Sequence, residues 1–301
     1  MKSGIYPKEK RLVVDNHSLE LFRTCPRKFK HRIDDNMVPI PDHWEEGDPI
    51  IPGFKLQFGI SIHLGLDALW KQRDLEAAKD AFLDSWVDSG CWDEDRRRNG
   101  SSGLRLLENY WQRHGDWIST VDTIAVEAHF GHCLGYIPDT DGWQVYYHGK
   151  IDKIAREEDG ALFICDHKTT AWESANMAAT YELSNQLLGY LYGVSSFLGF
   201  EDVQFALIDI LVANPVNHNF VRSRIYSDAD QLCEWRDDIL QTGRHILDSY
   251  HRDSWPKYGK DACSKWNNEC EFFGICRATP STRGDVATVN YTSIPWDTDK
   301  R

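Results

Sequence analysis

The chain has 301 residues, 41% of them hydrophobic, and a formal net charge of −13. That length supports one large core or two modest ones. The acidic balance excludes a general nucleic-acid coat and attraction to anionic membranes, but not a nucleic-acid site confined to a local basic patch. One such patch is present: Arg23, Arg27, Lys28, Lys30 and Arg32 follow one another with no acid among them. No stretch approaches the roughly 20 apolar residues of a membrane span. The N-terminal segment has no apolar run of the kind that marks secretion, so a cytoplasmic chain with mostly reduced cysteines is expected.

In chain order, Ser18 is placed to cap a short helix through LELFRTCPRKFKHRI, which Pro26 kinks or interrupts. Residues 36–57 are rich in Pro, Gly and acids and read as a loop. A helix is expected from about Phe58 to Arg73, followed by helical stretches broken near Gly90 and again at 96–103. Trp70, Trp86, Trp92, Trp111 and Trp117 fall in this part. They read as the core of a helical insertion at 64–120 more readily than as a stacking surface for bases. Arg96, Arg97 and Arg98 are either phosphate contacts or a solvated loop. The pattern then turns to strands in VDTIAVEAHF, WQVYYHGKIDKIAR and ALFICDHKTT. Gly160 marks the turn between the last two. A helix over 173–199, a buried strand in VQFALIDILVA, an alternating strand in FVRSRIYS and a helix over 228–251 complete the alternation. Residues 261–278 hold a cysteine cluster, and 279–301 read as a polar, poorly ordered tail. Helices alternating with strands predict a single α/β domain with a mixed central sheet flanked by helices.

Asp166, His167 and Lys168 end an apolar strand, and residues two apart share a face. Asp166 and Lys168 therefore project together, and a hairpin brings Asp152 beside Asp166. Two carboxylates suit a hard divalent cation such as Mg²⁺. The cation neutralises phosphate charge and activates water, and a neighbouring lysine orients that water or stabilises the developing charge. His63, upstream on a helix, adds a nitrogen donor. Asp67, one turn later, is placed to orient it. Gln186 and Tyr190 lie four apart on one helical face.

In this order and context the residues resemble the PD-(D/E)XK nuclease superfamily, in its RecB-like branch. The resemblance implies a restriction-endonuclease-like core, with metal ligands at His63, Asp152, Asp166 and the main-chain carbonyl of His167. It implies Mg²⁺ or Mn²⁺ as the ion, Lys168 serving the attacking water, and Gln186 and Tyr190 contacting DNA or buttressing the site. The family's named proline is replaced by Ile151. Glu127 stands where the branch often carries a glutamate, and is either accessory or a strand-surface acid.

Cys25 lies far upstream of Cys263, Cys270 and Cys276. One remote and three clustered thiols suit a tetrahedral sulfur site for zinc or an iron–sulfur cluster. Gaps of six and five residues are wider than the pairs usual in zinc ribbons. The chain is similar here to the iron–sulfur subset of RecB-like nucleases, which includes AddB-type nuclease domains and CRISPR-associated adaptation exonucleases. These place one cysteine before the core and three after it, although their middle gap is often two residues. The similarity implies a [4Fe–4S] cluster, with zinc as the alternative. The cluster would staple the N-terminal helix to the C-terminal segment and hold Arg27 and Lys28 near DNA. Cys91, Cys133, Cys165 and Cys233 read as ordinary thiols. The expected activity is metal-dependent hydrolysis of DNA, by an exonuclease more than an endonuclease, acting on single-stranded or end-processed DNA in repair, recombination or CRISPR-type processing. A helicase, recombinase or CRISPR integrase is the expected kind of protein partner. The alternative is an inactive DNA-binding or zinc-binding module on the same fold.

Overall fold

A computed structural model describes residues 2–41, 53–90, 95–174, 176–200, 202–214, 218–265 and 268–297. The chain opens with strands β1 (Gly4–Tyr6) and β2 (Arg11–Val14). Helix α1 (Asn16–Thr24) follows, with Asp15 as its N-cap. Ser18, expected as the cap, is instead the third helical residue: its N–H and hydroxyl close a reciprocal capping box with Asp15. Cys25 is extended, and Pro26 starts helix α2 (Pro26–Phe29) where its missing N–H costs nothing. A π-helical turn (Lys30–Asp34) and β3 (Met37–Pro39) come next. Three helices then run together: α3 (Phe54–Gln72), α4 (Leu75–Asp88) and α5 (Gly100–Thr120).

Three long strands follow, β4 (Asp122–Tyr136), β5 (Gln144–Arg156) and β6 (Leu162–Thr170). The helix expected over 173–199 is shorter. A 3₁₀ turn (Ala178–Tyr181) precedes α6 (Asn185–Phe197), whose N-cap is Ser184. Strands β7 (Val203–Val212) and β8 (Asn219–Ile225) lead to α7 (Ala229–His251). The C-terminal part consists of short pieces: α8 (Lys260–Cys263), β9 (Ser264–Lys265), β10 (Asn268–Glu269), α9 (Phe273–Arg277), α10 (Arg283–Asn290) and β11 (Tyr291–Ser293). The segment beyond Arg277, read from its polarity as a tail, thus carries a helix and a strand.

Pairing runs β1-β2-β5-β6-β7-β8, with β4 also on β5. The β5–β6 and β7–β8 pairs are antiparallel, while β2–β5 and β6–β7 are parallel. This is a mixed α/β sheet with helical connections. The chain divides into two compact units: residues 1–50, 131–149 and 233–301 form one, and 51–130 with 150–232 the other.

In the first unit, α7 lies against β2 and β5. Gly243 permits the approach, since a Cβ there would meet Val145 at 2.8 Å and Leu12 at 3.3 Å. Trp296 anchors the C-terminal end: its Nε1–H donates to Asp15 (2.6 Å), its ring stacks on His17, and Arg32 lies 4.9 Å from its centroid. Strand β11 pairs with β3 in the same region. A short polar segment is ordered here because one buried aromatic and one ladder tie it down.

In the second unit, α3, α4 and α5 share one apolar core with β6 and β7, built around Phe58, Leu66, Trp70, Phe82, Leu107, Phe163 and Phe205. Trp70 and Trp86 are buried in it, and Trp111 and Trp117 pack against it. Trp92 lies outside the described residues. Gly103 lets α5 close on α4, because a Cβ there would lie 2.0 Å from the Phe82 ring. No helix among the described residues is long and apolar enough to cross a membrane.

Candidate active site and cysteine pocket

The second unit brings four of the expected residues together. In the antiparallel register Lys153 stands opposite Cys165, which carries Asp152 to the level of Asp166. Both carboxyls are buried, at 6% and 1% exposure. The His167 N–H donates to Asp152 Oδ2 (2.7 Å), and His63 Nδ1 on α3 lies 3.4 Å from the same oxygen. Lys168 Nζ lies 2.7 Å from Asp166 Oδ2. Strand alternation puts Asp166 and Lys168 on one face and the His167 ring on the other.

The electrostatics separate the two acids. Burial alone would raise the Asp152 carboxyl, but His63, the His167 ring and Lys153 outweigh it and hold the group well below the usual carboxylate range. Burial raises the Asp166 carboxyl, and the charge on Asp152 adds to the rise against the pull of Lys168. Burial works against the charge on Lys168, yet Asp166 and Asp152 raise its pKa, with the Tyr181 phenol contributing. His63 is likewise raised by Asp152 against burial. Two crowded carboxyls, one of them driven toward its neutral form, are the donor set a divalent cation relieves, since its charge replaces the proton. The residues therefore fit such an ion.

Around this centre lie further charged groups, most of which the sequence pattern did not single out. Asp67, expected beside His63, is ion-paired with Lys153, and both are buried. Under the strand, the Tyr110 hydroxyl donates to Asp209 (2.7 Å) and lies 3.2 Å from His167 Nε2. Arg222 donates to the same Asp209 oxygen through Nε (3.0 Å) and an Nη (2.7 Å). A lone acid inside the apolar run of β7 was the available signal, because a fully buried carboxylate requires a partner. Donor atoms of Cys165, His167 and Asp209 lie within 4.8 Å of one another and could hold a metal. The Asp209 oxygen facing Tyr110 and Arg222 is already served, and burial raises the Cys165 thiol well up, so this group serves as a fixed support for β6.

Gln186 Nε2 donates to the Tyr190 hydroxyl (2.8 Å), and Tyr190 packs edge-on to Phe130. Glu127 occupies the left-handed region (φ 56°), and its carboxylate pairs with Lys150. Of the three arginines at 96–98, Arg98 lies 3.6 Å from Asp95, and Arg97 lies over the Trp172 ring.

In the first unit Cys25, Cys263, Cys270 and Cys276 line a single pocket with Lys28, Lys257 and Phe272. Burial pushes the Cys276 thiol up, with Cys270 and Cys25 adding to the rise. Burial does the same for Cys270, and Cys263 contributes. Four thiols around one pocket form a donor set suited to a thiophilic metal group. The short helices beginning at Pro26, Lys260 and Phe273 bring them there. Arg27 Nε donates to the Trp255 carbonyl (2.8 Å), and Lys28 pairs with Glu271 (3.2 Å). Lys30 bridges to Asp34 and Asp35, and Arg23 donates to Thr242. The acid-free basic run thus finds its acids and carbonyls within the same unit. Cys133 is half-buried and Cys233 exposed; Cys91 lies outside the described residues.

The sequence matches the PD-(D/E)XK nuclease superfamily over residues 17–277, and the chain belongs to that superfamily. No curated protein matches it. Among solved structures, a candidate exonuclease from Eubacterium rectale is similar, with 10% identity over 93% of this chain and 94% of that one and a TM-score of 0.48. The protein SSO0001 shares 12% identity over 68% of this chain and 78% of its own, with a TM-score of 0.31. Nucleases of this superfamily use divalent metal ions and act on DNA.

Proposed function

We propose that the chain is a divalent-metal-dependent deoxyribonuclease of the RecB-like iron–sulfur branch, an exonuclease working on single-stranded or end-processed DNA. The observation that carries the reading is the meeting of half-buried His63 and Lys168 with the buried carboxyls of Asp152 and Asp166. Asp152, Asp166, His63 and the His167 carbonyl would hold Mg²⁺ or Mn²⁺. When bound, the ion neutralises phosphate charge and lowers the pKa of a water. Asp152 is fixed by the His167 N–H, so its ligating oxygen is aimed before substrate arrives. Lys168 is held as a cation by the two acids. It therefore serves the reaction by donating to the water or to the charge growing on the phosphate, rather than by removing a proton. Gln186 and Tyr190 act as a hydrogen-bonded pair beside the site. Cys25, Cys263, Cys270 and Cys276 would hold a [4Fe–4S] cluster that ties the N-terminal helices to the C-terminal segment. A helicase, recombinase or CRISPR integrase is the kind of protein partner that suits this activity.

The test is end-labelled single-stranded, duplex and circular DNA with Mg²⁺ or Mn²⁺, against Asp166→Ala. Degradation of linear but not circular DNA by the wild type alone is expected. Equal inertness of the two proteins would leave only a binding module. Anaerobic purification should give a brown protein absorbing near about 400 nm; a colourless protein with stoichiometric zinc would overturn the cluster.

A further inference from the structure

Trp172 is placed unlike the tryptophans of the helical core. It stands just past the end of β6, four residues after Lys168, and is 66% exposed. An exposed indole loses the burial that normally repays its size. Its backbone is nevertheless fixed: the Trp172 N–H donates to Thr170 Oγ1, and that hydroxyl lies 3.1 Å from the Trp172 carbonyl, both within one tight turn. The Arg97 guanidinium carbon sits 4.0 Å from the indole centroid. Arg97 is itself held in place, its N–H on Asp95 (2.9 Å) and its carbonyl accepting from Ser102 (2.7 Å), where Asn99 caps α5. Its Nε is buried and has no hydrogen-bond partner among the described residues. The arrangement is an aromatic side chain on a hydrogen-bonded turn, covered by a cation on one side and largely open to solvent otherwise, with two more arginines adjoining Arg97 in the chain.

We propose that Trp172 and Arg97 form a stacking subsite for an unpaired nucleobase of the DNA strand, with Arg97 and its neighbours Arg96 and Arg98 meeting the phosphates. Any base presents a π face, so stacking accepts every sequence but requires the base to be unpaired. The strand rise limits the separation of Trp172 from Lys168 to about 13 Å, within about four nucleotide steps of 3.4 Å. The platform thus engages the strand close to the phosphate being cut and selects single-stranded over duplex substrate. The inference rests on the nuclease reading for its substrate, and it specifies a strand preference that the acids alone do not determine.

Binding is measured in EDTA with a fluorescein-labelled oligo-dT and with a duplex of equal length, by anisotropy and by tryptophan quenching. Cleavage is measured separately with Mg²⁺. Trp172→Ala is expected to weaken single-strand binding about 5- to 100-fold, to change duplex binding less than twofold, and to raise KM with little loss of kcat. Trp172→Phe should restore most of the binding. Arg97→Ala should weaken binding and flatten its salt dependence. Because Trp172 is exposed, the melting temperature of Trp172→Ala should match the wild type. Wild-type affinity for single strands in Trp172→Ala would overturn the platform while cleavage by the wild type still stood. A wild type that binds single strands through Trp172 but cuts nothing would defeat the nuclease reading alone.

Discussion

The two donor sites of this chain are built from opposite materials. The acids and Lys168 sit on long, regular elements, β5, β6 and α3, and each of their charged neighbours has a partner: Lys153 with Asp67, and Arg222 with Asp209. The four thiols sit on or beside helical pieces of four or five residues, steadied by a few backbone bonds such as Cys270 N–H to the Cys263 carbonyl (2.8 Å). A sheet with its ladder can hold two like charges together at a cost the fold absorbs. Short turns have little cooperativity of their own, so a sulfur site of this kind gains its order from the group it binds. The carboxylate site should therefore lose function when altered and keep its fold, whereas the thiol site should lose fold.

The largest effect is expected at Asp166. Asp166→Ala should reduce cleavage at least ~1000-fold, about 4 kcal/mol of transition-state stabilisation. Its melting temperature should be unchanged or higher, because a buried carboxyl in conflict with Asp152 is removed. A variant that unfolds instead would make Asp166 a structural residue and erase the contrast.

Next comes Lys153, which tests whether the support of the acid site is as taut as its contacts indicate. Lys153→Met leaves the Asp67 carboxylate buried without its counter-ion. The expected loss is about 3–5 kcal/mol in urea unfolding. The double replacement with Asp67→Leu should recover most of it. A single variant as stable as the wild type would show that the pair is not shielded from water.

The hairpin, the shared face of Asp166 and Lys168 and the approach of Asp152 were legible because they follow from alternation and a glycine turn, which are local. The roles expected of Gln186 and Tyr190 came only through family likeness. Asp67 was misassigned for a physical reason: helical spacing places it near His63, but not the β-strand lysine that passes the same helix. Tyr110, Asp209 and Arg222 come from three separate segments, so only tertiary structure reveals their network. The segment after Arg277 looked unstructured because its order depends on partners from the other end of the chain: Trp296 meets Asp15, His17 and Arg32, and β11 pairs with β3.

Cys25→Ala tests the opposite half of the comparison. Cys25 and Cys276 are 251 residues apart, so a bound cluster closes a long loop in the unfolded chain. By analogy with a disulfide, its loss should cost about 3 kcal/mol, together with the absorbance near about 400 nm. Limited proteolysis should then cut first between Trp255 and Arg277, while residues 150–232 stay resistant. Unchanged stability in Cys25→Ala would refute the staple and make the two sites alike.

The smallest effect concerns acid, and it falls on the unit with the acids. Burial first, then the charges on Arg222 and Arg113 with the His167 ring, push His114 down to about 4, although Asp209 pulls the other way. The imidazole is edge-on to Tyr110 and Phe220, a surrounding that accepts the neutral ring. In the unfolded chain it titrates near about 6.5. The unfolded state therefore binds the extra proton between the two values, and stability falls as pH drops from about 6.5 toward 4. The whole shift would be worth ~3 kcal/mol, but the ring is only half-buried, and screening reduces this to about 1 kcal/mol. His114→Gln should remove that part of the decline: between pH 7 and pH 4.5 the wild type should lose about 1 kcal/mol more than the variant in urea titrations. Parallel pH curves for the two proteins would mean that the imidazole is free to be protonated in the fold. The aromatic and arginine support under β6 would then be as yielding as the turns that carry the thiols.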